Sequence, residues 1–150
     1  MRDFFRKKAP RPEAPQSNTA SSGGVDQVKG RLVLVVDDSP TETRIFLNTL
    51  RKAGFSVEAA QNGEEGVALA RQLHPDVVLM DVVMPVLNGF QATRQLQRDP
   101  ATADIPIIMV TTKDQDTDRT WGMRQGAVDY LVKPINPEEL VHRIRAAIGG

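Results

Sequence analysis

From Arg31 onward the sequence alternates short apolar runs with longer stretches of helical period, and this alternation restricts the fold more than any single residue does. LVLVV at Leu32 to Val36, VVLM at Val77 to Met80 and IPIIMV at Ile105 to Val110 are almost wholly apolar. Strands covered on both faces read this way, because neither side of the sheet meets water. Ser56 to Ala60 is a weaker strand, and Val128 to Val132 a fifth, shortened one. Between them apolar residues recur at helical spacing in three sets: Phe46, Leu50 and Ala53, then Gly66, Ala70 and Leu73, then Leu140, Ile144 and Ile148. Alternation of this kind predicts a parallel sheet with helices packed on it.

The helix starts are marked locally. Ser39 stands before Pro40, Asn62 before Gly63 and a glutamate pair, and Asn136 before Pro137 and another glutamate pair. Each offers a side-chain oxygen to the first free amides, and each proline has its φ preset. Gly54 suits the end of the first helix. The pattern predicts an α/β, flavodoxin-like (βα)5 fold: a doubly wound parallel sheet of strand order 2-1-3-4-5, with ligands bound beyond the carboxyl ends of the strands.

At 150 residues and 40% hydrophobic, the chain has material for one core of ordinary size. Residues 1–30 carry Arg2, Arg6, Lys7, Lys8, Arg11 and Lys29 against Asp3, Glu13 and Asp26, a net +3 that leaves −3 for the rest. Within them APRPEAPQSNTASSGGVDQVKG is too poor in apolar side chains to offset the entropy of ordering. The expected organisation is a disordered basic tail over 1–30 and one domain over 31–150. Phe4 and Phe5 in the basic head offer at most a weak surface contact, since a single short anchor holds a protein poorly on a bilayer. Lysine plus arginine and aspartate plus glutamate both number 19, which gives no case for a nucleic-acid partner. The chain has no cysteine and so no thiol chemistry, and no run approaches the roughly 18 apolar residues of a membrane span. A cytoplasmic protein is the expectation.

Function is expected where the strands end, and there the residues are polar. The first strand leads into Asp37 and Asp38, the third into Asp81, the fourth into Thr111 and Thr112, and the fifth into Lys133 before Pro134. Three acids converging on one sheet edge repel one another and raise one another's pKa values. A cation relieves this cost. Oxygen donors suit Mg²⁺, which favours phosphate as a co-ligand, whereas zinc calls for imidazole or thiolate. Mg²⁺ on Asp38 and Asp81 would let the Asp81 carboxylate attack an incoming phosphoryl group, with Lys133 as a point charge and Thr111 as a hydroxyl for its oxygens. Singly, an Asp-Asp pair is more often a helix cap, and a strand-end Asp, Thr or Lys-Pro more often turn chemistry. In order on successive strands they are not explained by capping. His74 and His142 read as surface residues, and the methionines as packing.

VVDDS, LMDVVMPVLNG, MVTT and YLVKP together resemble the CheY-like receiver family of two-component signalling, over residues 31–148. The resemblance implies that Asp37 and Asp38 are the metal-binding acid pair, Asp81 the phosphoacceptor, Thr111 the switch hydroxyl and Lys133 the phosphate-binding lysine. It also implies that Val83 lends its backbone carbonyl to Mg²⁺, that Lys133-Pro134 is cis, that Tyr130 is the rotamer switch, and that the output face comprises Arg119, Met123 and Tyr130. Trp121 could serve that face or the core. DSPTE, LNGFQATRQL, TTKDQ and the stretch from Trp121-Gly122 to Gln125-Gly126 are similar to the PilH-type regulators of type IV pilus twitching motility. The partners so implied are a histidine kinase as phosphodonor and a protein target, such as a pilus motor or signalling component. Val83 and Lys113, which flank the attacking water in receivers, imply slow self-dephosphorylation.

Other classes fit less well. An aspartyl-phosphate phosphatase needs a second acid two residues after its nucleophile, where this chain has Val83. A scaffold that is never phosphorylated would be expected to lack one of the acids, the threonine or the lysine. A phosphate sink for a shared kinase uses the same residues and stays open. A DNA-binding output is not expected, because the last helix ends near Ile148.

Overall fold

The computed structural model describes residues 31–149, so the expected tail over 1–30 lies outside the described residues. Five strands and five helices alternate: β1 (Leu32–Val36), α1 (Pro40–Lys52), β2 (Ser56–Ala60), α2 (Gly63–Leu73), β3 (Val77–Met80), α3 (Gly89–Arg98), β4 (Ile107–Thr111), α4 (Asp116–Gln125), β5 (Asp129–Val132) and α5 (Pro137–Ile148). All pairings are parallel and the strand order is 2-1-3-4-5, the flavodoxin-like arrangement.

The boundaries of two strands differ from the sequence reading. β4 starts at Ile107 rather than Ile105, beyond Pro106, which has no amide to give to a ladder. It ends at Thr111, one residue later than the apolar run, because Thr111 pairs with Val132. β5 starts at Asp129, and Val128 is left 51% exposed.

Each face of the sheet carries its own core, as expected when successive side chains alternate across a strand. Val33, Val35, Val77, Leu79, Ile108 and Val110 face Phe46 and Leu50 of α1 and Leu140 and Ile144 of α5. Leu34, Val36, Val78, Met80 and Ile107 face Val67 and Ala70 of α2 and Ala92 and Leu96 of α3. Ala53, Leu73 and Ile148 lie at the rims and are only partly buried. Fully burying one such large apolar side chain contributes about 1.5–3 kcal/mol.

The caps form where the sequence places them. The side chains of Ser39, Asn62 and Asn136 accept amide hydrogens from the first turns of α1, α2 and α5. α3 adds a complete capping box between Asn88 and Gln91. α4 is different. It has no side-chain cap, and Gly122 is its one buried residue.

Candidate functional site

The sheet register brings the acids together. Val36 pairs with Met80, so the residues that follow them, Asp37 and Asp81, leave adjacent strands side by side. The Asp81 amide still donates to the Val36 carbonyl at 2.9 Å, and the Asp37 amide to the Ala60 carbonyl at 3.1 Å. Asp37 and Asp81 are buried and Asp38 is exposed, and one carboxylate oxygen from each lies within 4.8 Å of the other two. A cleft of about 500 Å³ opens beside them, lined by Asp37, Asp38, Arg44, Asn48, Arg51 and Glu65 among others. Three oxygen donors of this kind, two held in place by burial, fit a hard divalent cation better than a soft one.

The two buried carboxylates are fixed by backbone. The Val82 amide donates to Asp81 Oδ1 at 2.7 Å, and the Ser39 amide to Asp37 Oδ1 at 2.9 Å. Gly89 lets α3 start against this strand end, since a Cβ there would strike the Asp81 carbonyl. Lys133 enters from the far side of the sheet, beyond β5. Its Nζ lies 2.6 Å from Glu42 Oε1, 2.8 Å from Asp37 Oδ2 and 3.6 Å from Asp81 Oδ2. The Lys133–Pro134 peptide is cis.

Burial pushes the Asp81 carboxyl above its ordinary 3.8, with Asp37 adding to the rise. Lys133, the Val82 amide and the Thr111 hydroxyl pull the other way without cancelling it. For Lys133 burial disfavours the ammonium, but the bonds to Asp37 and Glu42 and the nearby Asp81 charge prevail, and its pKa rises above 10.5. The two shifts have different leading causes: burial raises Asp81, whereas the acids around Lys133 outweigh the burial that works against its ammonium.

Thr111 is fully buried at the end of β4, and its hydroxyl accepts the Lys113 amide at 3.3 Å. Tyr130 does not stand on the surface with the other proposed output residues. Its ring is 2% exposed and its hydroxyl donates to the Lys113 carbonyl at 2.9 Å. Arg119 covers it, with the guanidinium 5.2 Å from the ring centroid and Nη1 donating to the Tyr130 carbonyl at 2.9 Å. Arg119, Trp121, Met123 and Val128 form the exposed face here, with Trp121 46% and Met123 43% accessible. The Val83 side chain is 60% exposed in the loop after Asp81.

Sequence reasoning missed Glu42, although the Ser39-to-Glu42 spacing is a recognisable helix-start pattern that marks the residue. It also missed Gly122 as the point where α4 meets Tyr130. Neither His74 nor His142 joins the site: His74 is the left-handed C-cap of α2 and lies 3.1 Å from Asp104, and His142 is exposed. No helix among the described residues is long and apolar enough to cross a membrane.

Comparison with known proteins agrees with this geometry. The chain is 60% identical over 118 residues to the protein PilH of Pseudomonas aeruginosa, a match covering 79% of this chain and 98% of PilH. It is 40% identical to the DNA-binding dual master transcriptional regulator RpaA of Synechocystis, where the match covers 77% of this chain and 48% of that longer protein. Among solved structures, Vibrio cholerae CheY4 superposes with a TM-score of 0.75 at 36% identity, over 79% of this chain and 98% of that one. The receiver domain of the Pseudomonas aeruginosa sensor kinase PA1611, solved with a magnesium ion in its active-site cleft, superposes with a TM-score of 0.76 at 32% identity, over 81% of this chain and 99% of that one. The model of the response regulator receiver domain matches residues 33–145, and with the fold and the strand-end acids this establishes that the chain belongs to the response regulator receiver family.

Proposed function

We propose that the chain accepts a phosphoryl group from a histidine kinase on Asp81 and passes the signal on by protein contact, in a PilH-like role in control of type IV pili. The observation that carries this reading is the meeting of three carboxylates with a nearly buried lysine at the ends of neighbouring strands. Mg²⁺ bound by Asp37, Asp38, Asp81 and the Val83 carbonyl would supply charge neutralisation for the incoming phosphoryl group.

The chain's own residues do the rest. With Oδ1 held by the Val82 amide, Asp81 presents Oδ2, the oxygen nearer Lys133, to phosphorus. The bond from phosphorus to the donor's imidazole nitrogen breaks as the aspartyl bond forms, and the leaving electron pair stays on the imidazole. Lys133 stabilises the charge of the transferred group, and little beyond positioning and electrostatics is needed. The Thr111 hydroxyl accepts from the Lys113 amide and faces Asp81, so its hydrogen bond can pass to a phosphoryl oxygen there. Movement of Thr111 toward that oxygen would bear on Lys113 and so on the Tyr130 ring, which couples the site to the face around Arg119 and Met123.

Phosphorylation is tested with acetyl phosphate and Mg²⁺. Wild type should gain one phosphoryl group and Asp81→Asn none; equal labelling of a folded Asp81→Asn protein would overturn the assignment. The pilus role is tested separately by twitching of cells that carry only Asp81→Asn. Motility indistinguishable from wild type would remove it.

A further inference from the structure

Ser39, Pro40, Thr41 and Glu42 have the spacing of a capping box, in which the glutamate turns back to the amide of the capping serine. Only half of it is made. The Ser39 hydroxyl accepts the Glu42 amide at 3.3 Å, but the Ser39 amide is already committed to Asp37 Oδ1 at 2.9 Å. The Glu42 carboxylate is thus released from its usual local partner. It turns into the site and makes the shortest of the three contacts to Lys133, at 2.6 Å against 2.8 Å for Asp37 and 3.6 Å for Asp81.

An ammonium has three donors. Glu42 and Asp37 take two, and Asp81 lies beyond hydrogen-bonding length for the third. The two partners are not equally easy to give up. The Asp37 side chain is 2% exposed and would be left as an unpaired buried charge, whereas Glu42 is 41% exposed and can exchange the lysine for water.

We propose that Glu42 opposes phosphorylation: its short contact holds Lys133 away from Asp81 in the resting site, and that contact must loosen for the ammonium to close on a phosphoryl group there. The residue is therefore a positioning residue that sets how readily the site is charged. Its own negative charge works in the same direction, by repelling the incoming anion. The inference rests on Asp81 being the phosphoacceptor.

The test is calorimetric titration of the full chain with trifluoroberyllate, a phosphoryl mimic, at fixed Mg²⁺. Wild type is compared with Glu42→Gln and with Glu65→Gln, which removes an acid that lines the cleft beside Asp37 and Asp38 and makes no contact with Lys133. Both substitutions preserve side-chain shape. Glu42→Gln should bind about threefold more tightly, the scale expected for loss of a half-exposed ion pair, and Glu65→Gln should match wild type. A merely structural role for Glu42 would weaken binding, so equal or weaker binding by Glu42→Gln overturns the inference. An equal gain in Glu65→Gln overturns it too, by assigning the effect to overall charge. Failure of wild type to bind would instead remove the phosphoacceptor reading beneath it.

Discussion

A Cβ on Gly122 would come within 3.1 Å of the Tyr130 ring and 2.7 Å of the Met109 sulfur, so the ring lies inside because α4 passes it with bare backbone. Gly122→Ala should therefore destabilise the fold. Alanine gains about 1 kcal/mol of helix propensity over glycine, but overpacking costs about 1–3 kcal/mol. Urea unfolding measures the balance, and a stabilised variant would show that α4 has room to move outward.

Tyr130 is the single tyrosine of the chain, so its ionisation can be followed by absorbance alone. Burial, with Asp118 adding to it, pushes the phenol up to about 12 from an ordinary 10.0. Only the protonated hydroxyl can donate to the Lys113 carbonyl. Because the unfolded chain deprotonates first, this group leaves stability unchanged below pH 10 and lowers it progressively as pH rises toward 12. Spectrophotometric titration should show native tyrosinate appearing well above its range in urea, and coincident curves would mean that the ring is solvated.

Mg²⁺ that binds the folded acid cluster must stabilise it by linkage. At a free concentration about ten times its dissociation constant the gain is about 1.4 kcal/mol. Thermal unfolding should therefore shift upward with Mg²⁺ in wild type and not in Asp38→Ala. An equal shift in both would place the bound ion elsewhere.

Val83 has no polar atom to orient water, and the Lys113 ammonium lies 3.6 Å from Asp118 rather than free in the cleft. With Asp81 as the proposed phosphoacceptor, neither side chain would promote attack on its aspartyl phosphate, and slow loss of phosphate is the expected outcome. Val83→Asn combined with Lys113→Glu should speed decay about tenfold, or about 1.4 kcal/mol of barrier. The measurement is decay of phosphorylated protein after donor removal at fixed Mg²⁺, and an unchanged half-life would contradict it.

Much of this architecture is written locally. Residues such as Leu34 and Leu79 report a strand buried on both faces by their neighbours alone, and Ser39, Asn62 and Asn136 announce helices within three residues. The strand-end acids stand out because polar residues follow apolar runs. What stayed hidden depends on contacts distant in sequence or on weak periodicity. Glu42, on α1, meets Lys133, which follows β5, only through the order of the strands in the sheet. α4 buries Gly122 and no large side chain, so its sequence carries no apolar stripe and gives no sign that Tyr130 would lie beneath it.

The pairing of Val36 with Met80 has one more consequence. Neighbouring strands stand about 4.8 Å apart whatever their side chains are, so the spacing between Asp37 and Asp81 is inherited from the backbone rather than from the loops around them. A chain built this way can vary those loops, and with them its partners, while the distance on which its chemistry depends stays constant.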